Sequence, residues 1–157
     1  MADIEEKLQN MGLSLPESAP PLFNYIPYVI TGSLVFIAGQ VPIGGKKNYK
    51  GKVGVDVDMQ TAQEAAVQCG LNILTHIKDA VNGNWDHVVQ CVKLGGFVNC
   101  HSDFEDQSLV INSASDLMVA ALGEKRGKHA RFAVGAPSLP ANFSVEIDAI
   151  FEINPGT

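Results

Sequence analysis

An α+β fold, with two helices packed on one face of a mixed sheet, is predicted by three observations in this sequence. Residues 143–153 alternate apolar and polar side chains in the period-2 pattern of a half-buried strand, and shorter strand-like runs lie at 29–31 and 34–39. Two long segments, roughly 58–81 and 106–122, carry apolar residues at helical spacing. One more apolar run, Val88 to Val98, separates them, so the order is strand, strand, helix, strand, helix, strand, strand.

Each element has its own signal. Ile4, Leu8 and Met11 at helical spacing, followed by Gly12, predict a short amphipathic helix over residues 3–11, and Pro16, Pro20 and Pro21 predict an extended linker after it. Residues 1–20 are thus read as an extension packed on the body, and residues 21–157 as a single domain. Val29 to Thr31 and Leu34 to Gly39 predict a hairpin turned through Gly32-Ser33. The glycine- and lysine-rich stretch Gly44 to Lys52 lacks the GxxxxGK[ST] pattern of a phosphate loop and is read as a solvated loop.

Asp58 is placed to cap a helix running to about Val81, with Ala62, Ala66, Cys69, Ile73 and Ile77 as its core stripe and Thr61 and Glu64 strengthening its start. After the Asn82-Gly83-Asn84 turn comes the strand from Val88, whose paired Gly95 and Gly96 predict a bulge or a close backbone approach. Val110, Ala114, Leu117, Met118 and Ala121 form the next helical stripe, with Gly123 as its stop. Arg131 opens the run Phe132, Ala133, Val134; Pro137-Ser138-Leu139-Pro140 breaks it; and the final strand puts Glu146 on its polar face. A hairpin-like return between these two strands predicts that Arg131 and Glu146 reach the same rim.

At 157 residues with 46% hydrophobic content, the chain is long enough for one good core and short for two domains. No apolar run approaches the roughly 20 residues of a membrane span, and the acidic start is unlike a secretion signal, so a cytoplasmic protein without a membrane partner is expected. Cys69, Cys91 and Cys100 form no CxxC pattern and are read as reduced thiols. The four histidines are scattered, and the neighbours Cys100 and His101 would point to opposite sides of an extended segment, so no metal is expected. A net charge of -6 argues against a nucleic-acid partner, because only Lys46 to Lys52 and Lys125 to Lys128 are locally basic.

Arg131 and Glu146, fifteen residues apart, are the candidate chemistry: a fixed cation and a carboxylate that can meet at a small anionic ligand, or else form a plain salt bridge. Arg131, then Leu139-Pro140 eight and nine residues on, then Val145-Glu146-Ile147-Asp148-Ala149-Ile150, resembles the closing signature of the YjgF/Rid family, the reactive-intermediate deaminases. Asn24-Tyr25 followed by Gly32 to Pro42 is similar to the family's N-terminal hairpin. Gly51 to Gly54, Gly96 to Asn99 and Val110 to Leu117 resemble motifs of a longer branch with an N-terminal helical extension. The likeness covers roughly residues 20–153.

The resemblance implies a chorismate-mutase-like fold and a homotrimer whose sheets form a central barrel, with three clefts at the subunit interfaces. It implies hydrolysis of small enamine or imine intermediates such as 2-aminoacrylate to a 2-keto acid and ammonia, without metal or organic cofactor. Arg131 would bind the substrate carboxylate and Glu146 would activate water or shuttle a proton. Tyr25, Gly39, Asn112 and Ala133 would border the substrate, Asn112 only across an alignment gap. The chain departs from the pattern at Ala133, where active deaminases often carry cysteine or a small polar residue, and at Ala38, where they carry serine. Those departures keep open a carboxylate-binding module without turnover; an endoribonuclease, named for some relatives, is the third reading.

Overall fold

The computed structural model describes residues 4–18, 20 and 23–155. Helix α1 (Ile4–Asn10) is followed by strands β1 (Tyr28–Thr31) and β2 (Leu34–Gln40), helix α2 (Met59–Ala80), strand β3 (Val88–Asn99), helix α3 (Gln107–Leu122), the short helix α4 (Glu124–Gly127), and strands β4 (Ala130–Ala136) and β5 (Val145–Ile153). The extension helix packs on the body as expected, burying Ile4 and Leu8, with an ion pair from Glu5 to Lys78 at 2.7 Å. Pro21 and the first three residues, parts of the expected linker and helix, lie outside the described residues.

The sheet order is β1-β2-β5-β3-β4. Every neighbouring pair is antiparallel except β3 and β4, which run parallel and are joined through α3 and α4, a crossover that a parallel pair requires. The expected hairpin return from β4 to β5 is therefore wrong. The break at Pro137 to Pro140 instead leads into a turn with Ala141 and Asn142 at φ 52° and 59°. Gly51 N–H donates to Asn142 O at 2.7 Å and Ser144 N–H to Tyr49 O at 2.8 Å. These bonds carry the chain past β3, and β5 enters between β2 and β3.

Helices α2 and α3 cover one face. The predicted stripes are both fully buried, and they meet Val35, Leu94, Val98, Val145, Ile147 and Phe151 from the sheet. Asp58 caps α2 by accepting from Thr61 N–H at 2.7 Å. Thr61 strengthens the helix start as expected, its hydroxyl joining its N–H on Asp58, whereas Glu64 turns away to Lys47 at 2.7 Å. The Gly44 to Lys52 loop is less solvated than expected: Tyr49 is buried, Lys50 lies over the Phe143 ring at 5.1 Å, and Lys52 Nζ donates to Asn99 Oδ1 at 3.0 Å and to Pro137 O. Gly95 and Gly96 mark a close approach rather than a bulge; a Cβ at Gly96 would stand 2.6 Å from Ile111 Cγ1 of α3, while the β3–β5 register runs unbroken there.

All three cysteines are free and buried, and burial pushes the Cys91 thiol up to about 12. Among the described residues, no helix is long and apolar enough to cross a membrane. His76, 5% exposed, leans on the Tyr28 ring and leaves Nδ1 without a partner among the described residues; burial lowers its pKa, against a smaller opposing effect of Asp79. The folded state thus prefers neutral His76, so the unfolded chain binds more protons between the lowered folded pKa and the unfolded value near 6.5. Stability should fall as pH drops through that window. Urea midpoints at about pH 8 and about pH 5.5 should differ less in His76→Phe than in the wild type; an identical pH dependence would assign the titration to other groups. Glu146 and Asp148, whose pKa values are raised, act with the opposite sign, which is why the comparison with the variant isolates His76.

Candidate functional site

The site residues fall into two clusters on opposite faces of the sheet. On β5, Val145, Ile147, Ala149, Phe151 and Ile153 face the helices and are buried, which sends Glu146 and Asp148 to the open face. There the β2–β5 register shifts between Ile37 and Gln40, and Gly39 sits at that irregularity. A Cβ at Gly39 would collide with Glu146 Oε1 and stand 3.1 Å from its Cδ, so any larger residue there would have to displace the Glu146 carboxyl. The Glu146 carboxyl thus rests against the Gly39 backbone.

Burial raises the Glu146 pKa, and the neighbouring Asp148 raises it further. Asp148 is itself raised by burial and partly relieved by Lys93. Lys93 also lies over the Phe132 ring at 5.3 Å, and Phe132 packs edge-on against Phe97 at 5.3 Å. The expectation that Arg131 and Glu146 reach the same rim fails, because Arg131 is on the other side of the sheet.

Arg131 pairs in register with Leu94, a fully buried helix-facing residue, and so points toward α3. Its Nη1 donates to Ser115 Oγ at 3.0 Å and, more weakly, to Asn112 Oδ1 at 3.4 Å. Asn112 is oriented in turn by donating Nδ2 to Asp116 Oδ2 at 3.1 Å. Ser115 Oγ is 2.9 Å from His129 Nε2, and His129 Nδ1 is 2.6 Å from Gly127 O. Ala133, two residues along the same strand, faces the same way and packs on the core. Among the described residues no carboxylate pairs with Arg131, which removes the plain salt-bridge reading.

Arg131, Asn112 and Ala133 are therefore brought together, and so are Gly39 and Glu146, but the two groups are not brought together within one chain. Glu146 stands opposite Phe97 of β3 and Arg131 opposite Leu94. Two strand spacings and three residues of rise separate them by roughly 10 Å in each direction, besides the change of face. Tyr25 lies on the exposed segment before β1 and makes no side-chain hydrogen bond among the described residues. Ser115 and His129 were not singled out from the sequence. Their only local signals are that Asn112 and Ser115 share a helix face at i, i+3, while His129 stands two residues before Arg131. Among the described residues, no group of three or more His, Cys, Asp or Glu is placed to hold a metal ion.

Comparison with known proteins agrees with the C-terminal signature. A crystal structure of a protein of unknown function from Agrobacterium tumefaciens is 48% identical, with 96% of this chain and 92% of that one covered and a TM-score of 0.89. A Shewanella oneidensis structure described as an endoribonuclease is 32% identical, covers 96% and 99% of the two chains, and also has a TM-score of 0.89. Protein TCP17 of Trypanosoma cruzi is 39% identical over 154 residues, 96% of this chain and 94% of that protein. The structure of the yjgF gene product of E. coli, at 21% identity and a TM-score of 0.60, shares the fold. With residues 5–152 matched by its family model, the chain belongs to the YjgF/chorismate-mutase-like endoribonuclease family.

Proposed function

We propose that the protein hydrolyses small enamine and imine derivatives of amino acids, of the 2-aminoacrylate type, to a 2-keto acid and ammonia. The observation that carries this reading is the state of Arg131: a guanidinium held by two neutral acceptors, Ser115 and Asn112, with no carboxylate of its own among the described residues. A planar two-donor cation of this kind matches a substrate carboxylate. Glu146 supplies the complementary chemistry. A carboxyl whose pKa is raised by burial and by Asp148 can take a proton from water as it adds to the C=N carbon, then return it to the nitrogen that leaves as ammonia.

Because the two groups lie on opposite faces, they act together only when contributed by different copies of the chain. The open sheet face favours such an assembly: Phe36, Phe97 and Val134 are about 40% exposed there. A trimer with clefts between subunits, the arrangement that the family resemblance implies, would meet that need. RNA is a poorer substrate class, since the net charge is -6 and Lys47, Lys52 and Lys128 are each engaged within the chain.

The test is pyruvate release from enzymatically generated 2-aminoacrylate, together with pyruvate binding, for the wild type and Arg131→Lys. The variant keeps the charge but loses the fork, so both activities should weaken by roughly 1.5 to 3 kcal/mol. Wild-type levels of both would take Arg131 out of the site. Pyruvate binding without any hydrolysis by the wild type would instead favour a carboxylate-binding module, in line with Ala133 and Ala38.

A further inference from the structure

Arg131 is held from one side only. Both hydrogens of Nη1 are directed at acceptors of α3, the stronger contact being Ser115 Oγ at 3.0 Å and the weaker Asn112 Oδ1 at 3.4 Å. Nε and Nη2 make no hydrogen bond among the described residues. Those two nitrogens carry the parallel N–H bonds of the side-on edge, one of the two geometries in which a guanidinium grips a carboxylate with two bonds.

The proton positions along the stronger arm follow from what each atom can do. The Gly127 carbonyl only accepts, so the contact of 2.6 Å requires a proton on His129 Nδ1. In the neutral ring Nε2 then holds a lone pair, and the contact of 2.9 Å requires Ser115 O–H to donate to it. With its hydrogen turned toward His129, Ser115 Oγ presents its lone pairs to Arg131, which can only donate. With a neutral His129 ring, the relay runs one way, from the end of α4 through His129 just before β4 to the middle of α3.

We infer that Ser115 and His129 are positioning residues for Arg131: they engage Nη1 on the protein side so that the Nε/Nη2 edge is the one offered to a two-oxygen anion. The inference rests on the reading of Arg131 as a carboxylate-binding residue. It assigns selectivity for a coplanar pair of oxygens to two side chains that do not themselves touch the ligand. Without the Ser115 hydroxyl, Nη1 keeps only its weaker contact, and the guanidinium is free to swing about its side-chain torsions.

The experiment is calorimetric titration of the full-length protein with pyruvate, with melting temperatures recorded in parallel. Ser115→Ala replaces serine by the best helix former inside α3, so the fold should hold while affinity falls roughly tenfold. Ser115→Thr retains the hydroxyl and should bind within about threefold of the wild type. His129→Phe should reproduce the Ser115→Ala loss, and the double variant should be no worse than either single one, because the two residues act as one unit. Wild-type affinity in Ser115→Ala, with affinity lost in Arg131→Lys, overturns the inference and leaves the carboxylate reading standing. Equal losses in Ser115→Ala and Ser115→Thr also overturn it, since packing and not the hydroxyl is then at issue. Wild-type affinity in Arg131→Lys brings down both readings.

Discussion

Glu146→Gln should lower the rate of 2-aminoacrylate hydrolysis by about 10² to 10⁴ while leaving pyruvate binding nearly unchanged. Glutamine keeps the shape and one acceptor oxygen over the Gly39 backbone but cannot take a proton, so the loss should appear in kcat. Glu152 lies on the same open face of β5, six residues on and paired with Leu34 and Gln90, away from Gly39. Glu152→Gln should hydrolyse the enamine at close to the wild-type rate. Parity of both variants with the wild type would reduce Glu146 to an ordinary residue of the open sheet face.

The second large effect is a recovery. Arg131→Ala and Glu146→Gln should each be nearly inactive alone, yet after subunit exchange an equal mixture should regain activity. In a symmetric ring whose clefts take Arg131 from one chain and Glu146 from the next, roughly one quarter of clefts then hold both native residues. The measurement is hydrolysis by the mixture, set against the separate proteins at the same total concentration. Activity no greater than the average of the two would mean that the residues are not shared between copies. The prediction follows from the faces: Arg131 bonds Ser115 of α3, whereas Glu146 lies over Gly39 on the side away from the helices.

Local periodicity was a good guide wherever a residue's neighbours in sequence decide its environment. Alternation along residues 143–153 put Glu146 opposite Ile147, and the helical stripe from Ala62 to Ile77 is buried as its spacing requires. The C-terminal signature, with its fixed spacings, led to the family. What period cannot encode is which strands become neighbours. The short Pro137 to Pro140 break resembles a hairpin connection, but Asn142 and Ser144 are held by Gly51 and Tyr49, nearly a hundred residues earlier in the chain. That long-range anchoring decides that β5 passes β3. Ser115 and His129 were illegible for a similar reason: a mid-helix serine and a pre-strand histidine gain meaning only when α3 is laid over the parallel β3–β4 pair.

The place of β5 between β2 and β3 also bears on the order in which the molecule can be made. Until residues 145–153 leave the ribosome, β2 is paired only with β1, and β3 has at most the late-arriving β4. Each presents a bare edge of unpaired N–H and C=O groups, and the apolar faces of α2 and α3 have only part of a floor to rest on. The sheet can therefore be completed only once Phe151 and its neighbours enter between β2 and β3. A premature stop anywhere upstream of Val145 should yield an edge-exposed product cleared by proteolysis rather than a smaller protein with part of the activity.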